Sequence, residues 1–412
     1  MKYKIERNTR FDYTGQSYGE LYPNLHKYPA TMLPQIGIDV LKEFSTPNGI
    51  LLDPYCGSGS SFASGLEYGL KQMEGYDINP LAVLISKVRF TKTSVEKILK
   101  TMQSFRNTLF EFLKDHEYPK KLPIPIITNI NFWFSSEVTT NLALLKHCIE
   151  QIDNEPIRNF FKLPFSETVR ECSYTRNDEF KLYRMKPDDC LRFNPDVIGI
   201  YFKKLENTLS LYQQFYSKKL EGVSVKVTAI PFPTRGQNRK FDVVLTSPPY
   251  GDSRTTVAYG QFSTLSNEWL GINKARALDS QLMGGVRATA DTVNGLMSDY
   301  IEQVRTIDQK RSLDVLAFYR DLGASISSVA TSVKKGGKSI YIVGNRTVKG
   351  VHLPTDQFIA EKFEENGFRH LITFERAISN KVMPLKNSPS NLAGKTSTTM
   401  LFEYIVVCEK MD

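Results

Sequence analysis

The sequence contains little cysteine, tryptophan or histidine. Of its 412 residues, five are Cys, two are Trp and five are His. The five cysteines (Cys56, Cys148, Cys172, Cys190 and Cys408) are widely scattered and form no Cys-x-x-Cys pair. This pattern predicts reduced thiols rather than a disulfide framework or a zinc site. The histidines likewise lack the spacing of metal ligands, so we expect no bound metal.

Long hydrophobic runs are also missing. No stretch approaches the roughly 18 apolar residues of a membrane helix. The first twelve residues are polar and charged, without the apolar segment of a secretory signal. These absences predict a soluble, cytoplasmic protein with no membrane partner.

The overall composition is that of an ordinary globular protein, with 41% hydrophobic, 11% aromatic and 24% charged residues. It excludes a largely disordered or collagen-like chain, and the length predicts two or three structural units. The net charge is +9, which permits a polyanionic partner such as nucleic acid without requiring one.

Strands and helices alternate from residue 33 to residue 90. Apolar spacing and turn residues predict helices at 33–44, 60–68 and 80–88, with strands at 49–53 and 73–77 between them. Such alternation is typical of a parallel sheet covered by helices on both faces. We therefore expect residues 1–90 to form the first part of an α/β domain.

The alternation is lost between residues 91 and 239 and then resumes. Prolines separate helical patches at 137–152 and 197–220, and residues 91–240 carry 24 Lys and Arg against 17 Asp and Glu, a balance of +7. Strands at 240–245, 339–343, 368–377 and 399–408 and helices at 314–333 and 355–366 are predicted for 240–412, with Lys334–Gly337 ending the first helix. Residues 263–312 form an extra helical element whose role the sequence does not indicate. The simplest organisation is one α/β domain interrupted by a basic insertion.

A glycine-rich turn, Asp53-Pro54-Tyr55-Cys56-Gly57-Ser58-Gly59, lies between a predicted strand and a predicted helix. The glycines allow close approach of a ligand to the backbone, and the helix start supplies free N–H groups. Asp77 ends the next strand, about twenty residues on, where a carboxylate can accept both ribose hydroxyls. A dinucleotide site would favour a third glycine near Phe62, so we expect a nucleoside ligand without a pyrophosphate.

A second motif, Ser247-Pro248-Pro249-Tyr250, follows the strand predicted at 240–245. Open α/β sheets bind ligands at the carboxyl ends of their strands. The two prolines fix the backbone and remove N–H groups, leaving carbonyl acceptors beside the Ser247 hydroxyl and the flat ring of Tyr250. Acceptors beside a stacking ring suit an exocyclic amino group on a base.

Together the two motifs resemble the S-adenosylmethionine-dependent DNA methyltransferases that modify exocyclic amino groups. The resemblance covers residues 20–90 and 240–410. It implies a Rossmann-like methyltransferase fold, with a mainly parallel seven-stranded sheet and helices on both faces, and target recognition in the 91–239 insertion. The family's tetrad is (Asp/Asn/Ser)-Pro-Pro-(Tyr/Phe), and Ser at its first position is similar to the N4-cytosine branch.

The resemblance assigns roles to individual residues. Ser247, Pro248, Pro249 and Tyr250 are expected to be catalytic. The expected S-adenosylmethionine contacts are Tyr28, Pro29, Ala30, Asp53, Pro54, Tyr55, Gly57, Ser58, Gly59, Asp77 and Ile78. In the insertion, cations interleaved with aromatic residues predict contacts to double-stranded DNA from Arg170, Arg176, Lys181, Arg184 and Lys186. Arg254 and Tyr259, after the tetrad, are candidates to line or close the base pocket.

The expected enzyme therefore transfers a methyl group to cytosine N4 after base flipping and belongs to a restriction–modification system with a companion endonuclease. Cytosine C5 methylation needs a thiol nucleophile, and the tetrad contains none. Three alternatives stay open: adenine N6 methylation, an RNA amino-methyltransferase, and an inactive DNA-binding module.

Overall fold

A computed structural model describes residues 3–16, 21–29, 31–115, 117–176, 180–232, 240–252, 259–289, 295–378 and 400–411, with the backbone alone at 386–387 and 397–398. Its strands are β1 (Ile5–Arg7), β2 (Ile50–Asp53), β3 (Gln72–Tyr76), β4 (Ser224–Thr228), β5 (Phe241–Thr246), β6 (Val333–Val343), β7 (Arg346–Val348), β8 (Val351–Leu353), β9 (Phe368–Ala377), β10 (Lys386–Asn387), β11 (Ser397–Thr398) and β12 (Phe402–Lys410).

The helices comprise three in the first α/β segment, six in the 91–239 region and five after the tetrad, counted over the described residues. They are α1 (Pro34–Phe44), α2 (Ser60–Tyr68), α3 (Pro80–Phe90), α4 (Val95–Lys114), α5 (Ile130–Trp133), α6 (Ser136–Glu150), α7 (Glu155–Glu171), α8 (Pro187–Arg192), α9 (Val197–Phe215), α10 (Tyr259–Trp269), α11 (Leu278–Gln281), α12 (Met297–Ile307), α13 (Gln309–Thr331) and α14 (Thr355–Glu365).

Eight strands of the described chain form one sheet in the order β1-β9-β12-β6-β5-β2-β3-β4. All neighbouring pairs are parallel except the two that involve β12, which runs antiparallel to β6 and β9. This confirms the predicted mainly parallel α/β fold. The expected seven strands become eight because β1, near the N-terminus, adds a short edge strand beside β9.

Alternate residues of the central strands face two hydrophobic cores, as the period of two in a strand requires. Leu51 and Val243 pack into a core with α1, α2, α3 and helices of the 91–239 region. Leu52 and Val244, their neighbours in the chain, pack into the opposite core with α12, α13 and α14. Both faces of the sheet are therefore covered.

The structure corrects two expectations about where elements lie. The region from 91 to 239 contains β4, which pairs in parallel with β3 and so belongs to the main sheet. Most residues of β4 are exposed or half-buried, without a clear alternation between buried and exposed side chains, because β4 is an edge strand. Further along, Gly336 and Gly337 do not end a helix; α13 stops at Thr331, and both glycines lie in β6, where Gly336 has a φ of +74°.

Helices of the 91–239 region pack into a core shared with α1, α2 and α3. Buried residues of α4, α6, α7 and α9 belong to the same hydrophobic core as α1, α2 and α3. All five cysteines are buried and unbridged. No helix in the described part of the chain is long and apolar enough to cross a membrane.

Candidate active site

A cavity opens where the adjacent strands β5, β2 and β3 end. Because these strands are parallel, their carboxyl ends meet at one edge of the sheet. The cavity is lined by residues from the segment before α1, the glycine-rich turn and the start of α2, the segments that follow β3 and β5, the start of α10 and the end of α11: Tyr28, Thr31, Met32, Asp53, Tyr55, Cys56, Gly57, Ser58, Ser60, Ser61, Asp77, Asn79, Ser247, Pro249, Tyr259 and Leu282. The glycine turn and the tetrad thus share one site.

The glycine turn has the conformation that only glycine adopts without strain. Gly57 and Gly59 have φ values of +49° and +89°, and Gly59 caps the start of α2. A Cβ atom at Gly59 would lie 2.5 Å from Phe90 Cε2, whereas one at Gly57 would meet only Tyr28 Cε1 at 3.8 Å. The turn is therefore tightly packed behind Gly59 and open above Gly57.

Two side chains of α3 hold the turn from inside the protein. Ser86 Oγ donates to the Gly57 carbonyl at 2.8 Å, and Arg89 Nη1 donates to the Ser58 carbonyl at 2.5 Å. Arg89 is fully buried, and its Nε donates to the hydroxyl of Tyr216 at 3.0 Å. Because Tyr216 directly follows α9, the 91–239 region also supports the turn.

Asp53 ties the turn to the tetrad strand. Its carboxylate accepts hydrogen bonds from Tyr55 N at 3.0 Å, from Thr246 Oγ1 at 2.5 Å and from Ser61 Oγ. The side chain is only 3% exposed. Burial raises the pKa of Asp53 to about 6, although the Ser61 and Thr246 hydroxyls oppose that rise. Asp53 therefore fixes the relative positions of β2 and β5.

Asp77 stands at the end of β3, facing the cavity. One carboxylate oxygen accepts from Gly57 N at 2.9 Å and the other from Asn79 N at 2.8 Å. Burial raises the pKa of this carboxyl to about 6 as well, while the two backbone donors lower it. Each oxygen keeps a second lone pair, so the carboxylate can accept two hydroxyl groups from a ligand.

Aromatic rings from two parts of the chain meet at the cavity. The ring of Tyr28 lies 5.9 Å from that of Tyr259 and 6.1 Å from that of Phe262 in α10. Asn79 Nδ2 donates to the Tyr28 hydroxyl at 3.1 Å, and Asn267 of α10 donates to Asn79 Oδ1 at 3.2 Å. Helix α10 and the segment before α1 are thereby joined at the cavity.

The tetrad begins where β5 ends. Ser247 and Pro249 line the cavity, while the hydroxyl of Tyr250 accepts from Ser247 Oγ at 3.3 Å and donates to Glu403 Oε1 at 2.9 Å. Immediately after the tetrad, Asp252 is buried and accepts from Arg311 at 2.7 Å and Arg346 at 3.1 Å. These ion pairs anchor the end of the tetrad loop.

The residues predicted for the cofactor site, the tetrad and the base pocket fall into three groups. Those that line the cavity are Tyr28, Asp53, Tyr55, Gly57, Ser58, Asp77, Ser247, Pro249 and Tyr259. The described ones outside that lining are Pro29, Pro54, Gly59, Ile78, Pro248 and Tyr250. Ala30 and Arg254 lie outside the described residues.

A basic hairpin, formed by residues 174–176 and 180–185, lies beside the cavity. Its two arms pair through Arg176 N to Tyr183 O at 2.9 Å and Met185 N to Tyr174 O at 2.7 Å. The ring of Phe180 lies 5.9 Å from that of Phe262, which also contacts Tyr28. The hairpin is thus connected to the cavity wall through one aromatic ring.

The predicted DNA contacts in this region differ in exposure. Arg176 and Lys181 of the basic hairpin and the following Lys186 are exposed. Arg184 is half-buried and stacks on Phe132 with 4.5 Å from Cζ to the ring centre.

Arg170 is only 8% exposed, and its Nη1 donates to the Phe262 carbonyl at 3.1 Å. Burial lowers the pKa of its guanidinium to about 10. This corrects the expectation for Arg170, because a guanidinium packed inside the protein cannot reach a DNA phosphate in this conformation.

Several site residues were not predicted from the sequence. Asn79 follows Asp77 by two residues and could have been found from that spacing. Arg89, Asn267 and Glu403 lie far from either motif, and only the packing of helices and the register of distant strands bring them to the site.

Comparison with known proteins gives the family. No family model matches the chain. The type II methyltransferase M.MvaI of Kocuria varians is 37% identical over 432 aligned residues, which cover 98% of this chain and 94% of that protein. The type II methyltransferase M.MjaII of Methanocaldococcus jannaschii is 25% identical over 214 residues, 51% of this chain and 38% of that protein.

Solved structures are also similar in part. TTHA0409 of Thermus thermophilus, complexed with S-adenosyl-L-methionine, is 24% identical over 24% of this chain and 39% of its own, with a TM-score of 0.18. The rRNA methyltransferase aviRa of Streptomyces viridochromogenes is 13% identical over 97% of this chain and 95% of its own, with a TM-score of 0.35.

A near full-length relative at 37% identity and a cavity that joins both motifs make this an S-adenosylmethionine-dependent DNA methyltransferase. More narrowly, the chain belongs to the family of type II methyltransferases, the modification enzymes of restriction–modification systems.

The residues that line the cavity are chemically suited to S-adenosylmethionine. Ser58 Oγ is buried without a hydrogen-bond partner among the described residues, so it is available to a polar ligand group. Asp77 offers two acceptor oxygens, and the space above Gly57 is open. In the described part of the chain, no group of three or more His, Cys, Asp and Glu residues is placed to hold a metal ion.

Proposed function

We propose that this enzyme methylates the exocyclic N4 of cytosine at a specific sequence in duplex DNA. The observation that carries the proposal is that Ser247 and Pro249 line the same cavity as Asp77 and Tyr28. A base held at the tetrad and a cofactor held by the glycine turn would therefore share one cavity. Serine at the first tetrad position supports cytosine rather than adenine.

The tetrad would overcome the poor nucleophilicity of the amino group, whose lone pair is delocalised into the ring of the base. Ser247 Oγ and the Pro248 carbonyl can each accept a hydrogen bond from one N–H of the amino group. These two hydrogen bonds would hold the nitrogen in a pyramidal arrangement, with its lone pair directed into the cavity. Positioning and local electrostatics carry most of the rate, since no covalent enzyme intermediate is needed.

Four residues would hold the cofactor. Asp77 would accept the ribose hydroxyls, Ser58 would offer its unpartnered hydroxyl, Gly57 would leave room for close approach, and Tyr28 would cover the site. When bound, S-adenosylmethionine supplies an electrophilic methyl group on a sulfonium centre. The cofactor contacts expected for Pro29, Ala30, Pro54, Tyr55, Gly59 and Ile78 remain predictions.

The target base would have to leave the double helix to reach Ser247. Tyr250 and Tyr259 are the proposed stacking partners of the flipped base. Tyr259 already lines the cavity beside Tyr28, whereas Tyr250 lies next to Ser247 with its hydroxyl bound to Glu403.

The basic hairpin is the proposed DNA-reading element. Arg176, Lys181 and Lys186 are exposed, and Phe180 and Tyr183 are 53% and 44% exposed. Cationic side chains can fix phosphates, while aromatic side chains can contact bases near the flipped position. The proposal is supported by the packing of Phe180 against Phe262, whose ring also lies 6.1 Å from that of Tyr28 in the cavity lining. In the cell, a cytoplasmic endonuclease of the same sequence specificity would be the companion enzyme.

Nucleoside mass spectrometry tests the proposal. Plasmid DNA and total RNA would be isolated from a methylation-free host that expresses the chain, the Ser247→Ala variant or the matched Ser210→Ala variant, whose serine is exposed on α9. We expect N4-methylcytosine in DNA with the wild type and Ser210→Ala, and none with Ser247→Ala. N6-methyladenine in its place would overturn the assignment of the base, and a mark found only in RNA would overturn the assignment of the polymer.

A further inference from the structure

A row of hydrogen bonds leads from the tetrad to the last strand of the sheet. Ser247 Oγ donates to the hydroxyl of Tyr250 at 3.3 Å, and that hydroxyl donates to Glu403 Oε1 at 2.9 Å. Glu403 is the second residue of β12 and follows Tyr250 by 153 residues in the chain. It belongs to neither sequence motif.

Glu403 is held in place from behind. Arg376 of β9 is its cross-strand partner in the antiparallel register, so the two side chains lie on the same face of the sheet. Arg376 is 3% exposed and donates through Nη1 to the second carboxylate oxygen of Glu403. Its Nε also donates to the Phe11 carbonyl at 2.6 Å. One oxygen of Glu403 is therefore occupied, and the other faces Tyr250.

The ring of Tyr250 is held as well. It packs against Gly344, where an added Cβ atom would lie 2.9 Å from Tyr250 Cδ2. Burial, together with the nearby Glu403 carboxylate, raises the pKa of the Tyr250 phenol well above its ordinary value. The phenol therefore keeps its proton, and the proton points to Glu403.

This arrangement fixes the direction of each hydrogen bond. Tyr250 has one proton, which Glu403 accepts, so the Tyr250 oxygen can only accept from Ser247. The single Ser247 proton is then directed at Tyr250, which leaves the lone pairs of Ser247 Oγ for a different donor. Without Glu403, the phenol could donate to Ser247, and the serine proton could turn toward the substrate.

We propose that Glu403 is a positioning residue that acts through Tyr250 to keep Ser247 an acceptor for the N–H of the target amino group. The inference rests on the proposed function, because only an amino substrate needs an acceptor at Ser247. Arg376 contributes by holding the Glu403 carboxylate in register.

Methyl-transfer kinetics on the purified full chain test this role, with a labelled methyl group on the cofactor and duplex DNA as substrate. The variants are Tyr250→Phe, Glu403→Leu, Glu403→Gln and the Tyr250→Phe/Glu403→Leu double variant. We expect each of the first two to lower kcat about tenfold, the range for one well-placed hydrogen bond, with the KM for cofactor within about twofold. Glu403→Gln has one acceptor oxygen, which the Arg376 guanidinium occupies, so its NH₂ group faces Tyr250 and makes the phenol donate to Ser247. This variant should therefore be about as slow as Glu403→Leu.

The double variant separates positioning from a merely structural role. If Glu403 acts through the Tyr250 hydroxyl, the double variant should be no slower than Tyr250→Phe alone. Matched controls are Tyr319→Phe, which removes another buried phenol hydroxyl, and Glu409→Gln, which removes another carboxylate from β12. Both controls should keep wild-type kcat.

Three outcomes would overturn the proposal: additive losses in the double variant, wild-type kcat in Glu403→Gln, or full activity in Tyr250→Phe. If thermal denaturation shows that Glu403→Leu is not folded, Tyr250→Phe and Glu403→Gln still test the proposal. Product analysis of the same reactions tests the proposed function separately. N6-methyladenine as the product would overturn the N4 assignment, while the kcat values of the variants would still test the role of Glu403. No transfer at all by the wild type would overturn both.

Discussion

Replacing Asp53 with Asn should stabilise the protein at neutral pH. The Asp53 carboxylate is 3% exposed and accepts from three described donors, each of them uncharged. An asparagine has nearly the same shape. Its oxygen can still accept from Tyr55 N and Thr246 Oγ1, and its NH₂ group can donate to Ser61 Oγ after the hydroxyl rotates. The substitution therefore removes a buried charge without emptying the site.

The size of the effect follows from the pKa of Asp53, which burial raises from 3.8 to about 6. The folded state then binds the proton more tightly than the unfolded state, so stability falls as the pH rises between these two values. At about 1.4 kcal/mol per pH unit, the wild type loses up to about 3 kcal/mol between pH 4 and pH 6. The amide that replaces the carboxyl in the variant does not titrate, so the variant escapes this loss.

Urea denaturation of wild type and Asp53→Asn at a series of pH values from 4 to 8 measures the difference. We expect the stability advantage of the variant to grow by up to about 3 kcal/mol across this range and to be constant above pH 7. Asp153→Asn, which removes an exposed carboxylate, should stay within about 0.5 kcal/mol of wild type. Parallel stability curves for wild type and Asp53→Asn would refute the reasoning that burial raises this pKa.

Three other predictions concern the cofactor turn and the DNA contacts. Gly59→Ala should be less stable than Gly69→Ala by at least about 1 kcal/mol in thermal denaturation, because both have positive φ but only at Gly59 would a Cβ atom meet Phe90. Asp77→Ala should weaken S-adenosylmethionine binding at least tenfold in calorimetry, and unchanged affinity would refute the proposed contact between Asp77 and the ribose. The affinity of the wild type should fall as the pH drops below about 6, since only the carboxylate form of Asp77 accepts both hydroxyls. In the Lys181→Ala/Lys186→Ala double variant, the slope of log K for DNA binding against log salt concentration should become shallower by about 0.9 for each lost phosphate contact. Lys71 directly precedes β3, at the amino end of that strand, and Lys71→Ala should leave this slope unchanged.

The sequence predicted the central elements of the fold well, because local signals define them. Helix α2 has the predicted bounds, 60–68, since glycines with positive φ flank it at both ends. Strand β9 also has its predicted bounds. Strands β1 and β4 were missed because each is a short edge strand with largely exposed side chains, which leaves little periodic pattern to read.

The candidate site was predictable where it is local in the chain. Asp53, Gly57, Asp77 and Ser247 follow directly from the two motifs, and all of them line the cavity. Composition alone did not predict the burial of Arg170. A cation in a basic stretch can be buried or exposed, and here the packing of Arg170 against Phe262 buries it. Glu403 shows another limit, since its place depends on the register between β9 and β12.

The contact between Arg89 and Tyr216 bears on how sequence specificity could be redesigned in this family. An obvious strategy would exchange residues 91–239 between relatives as a removable module. In this protein, that exchange would take away Tyr216, whose hydroxyl accepts from the buried Arg89 guanidinium that holds the Ser58 carbonyl. A chimera joined at these boundaries would therefore disturb the cofactor turn along with the DNA contacts. A graft limited to the basic hairpin would leave this support intact and change only the surface that faces DNA.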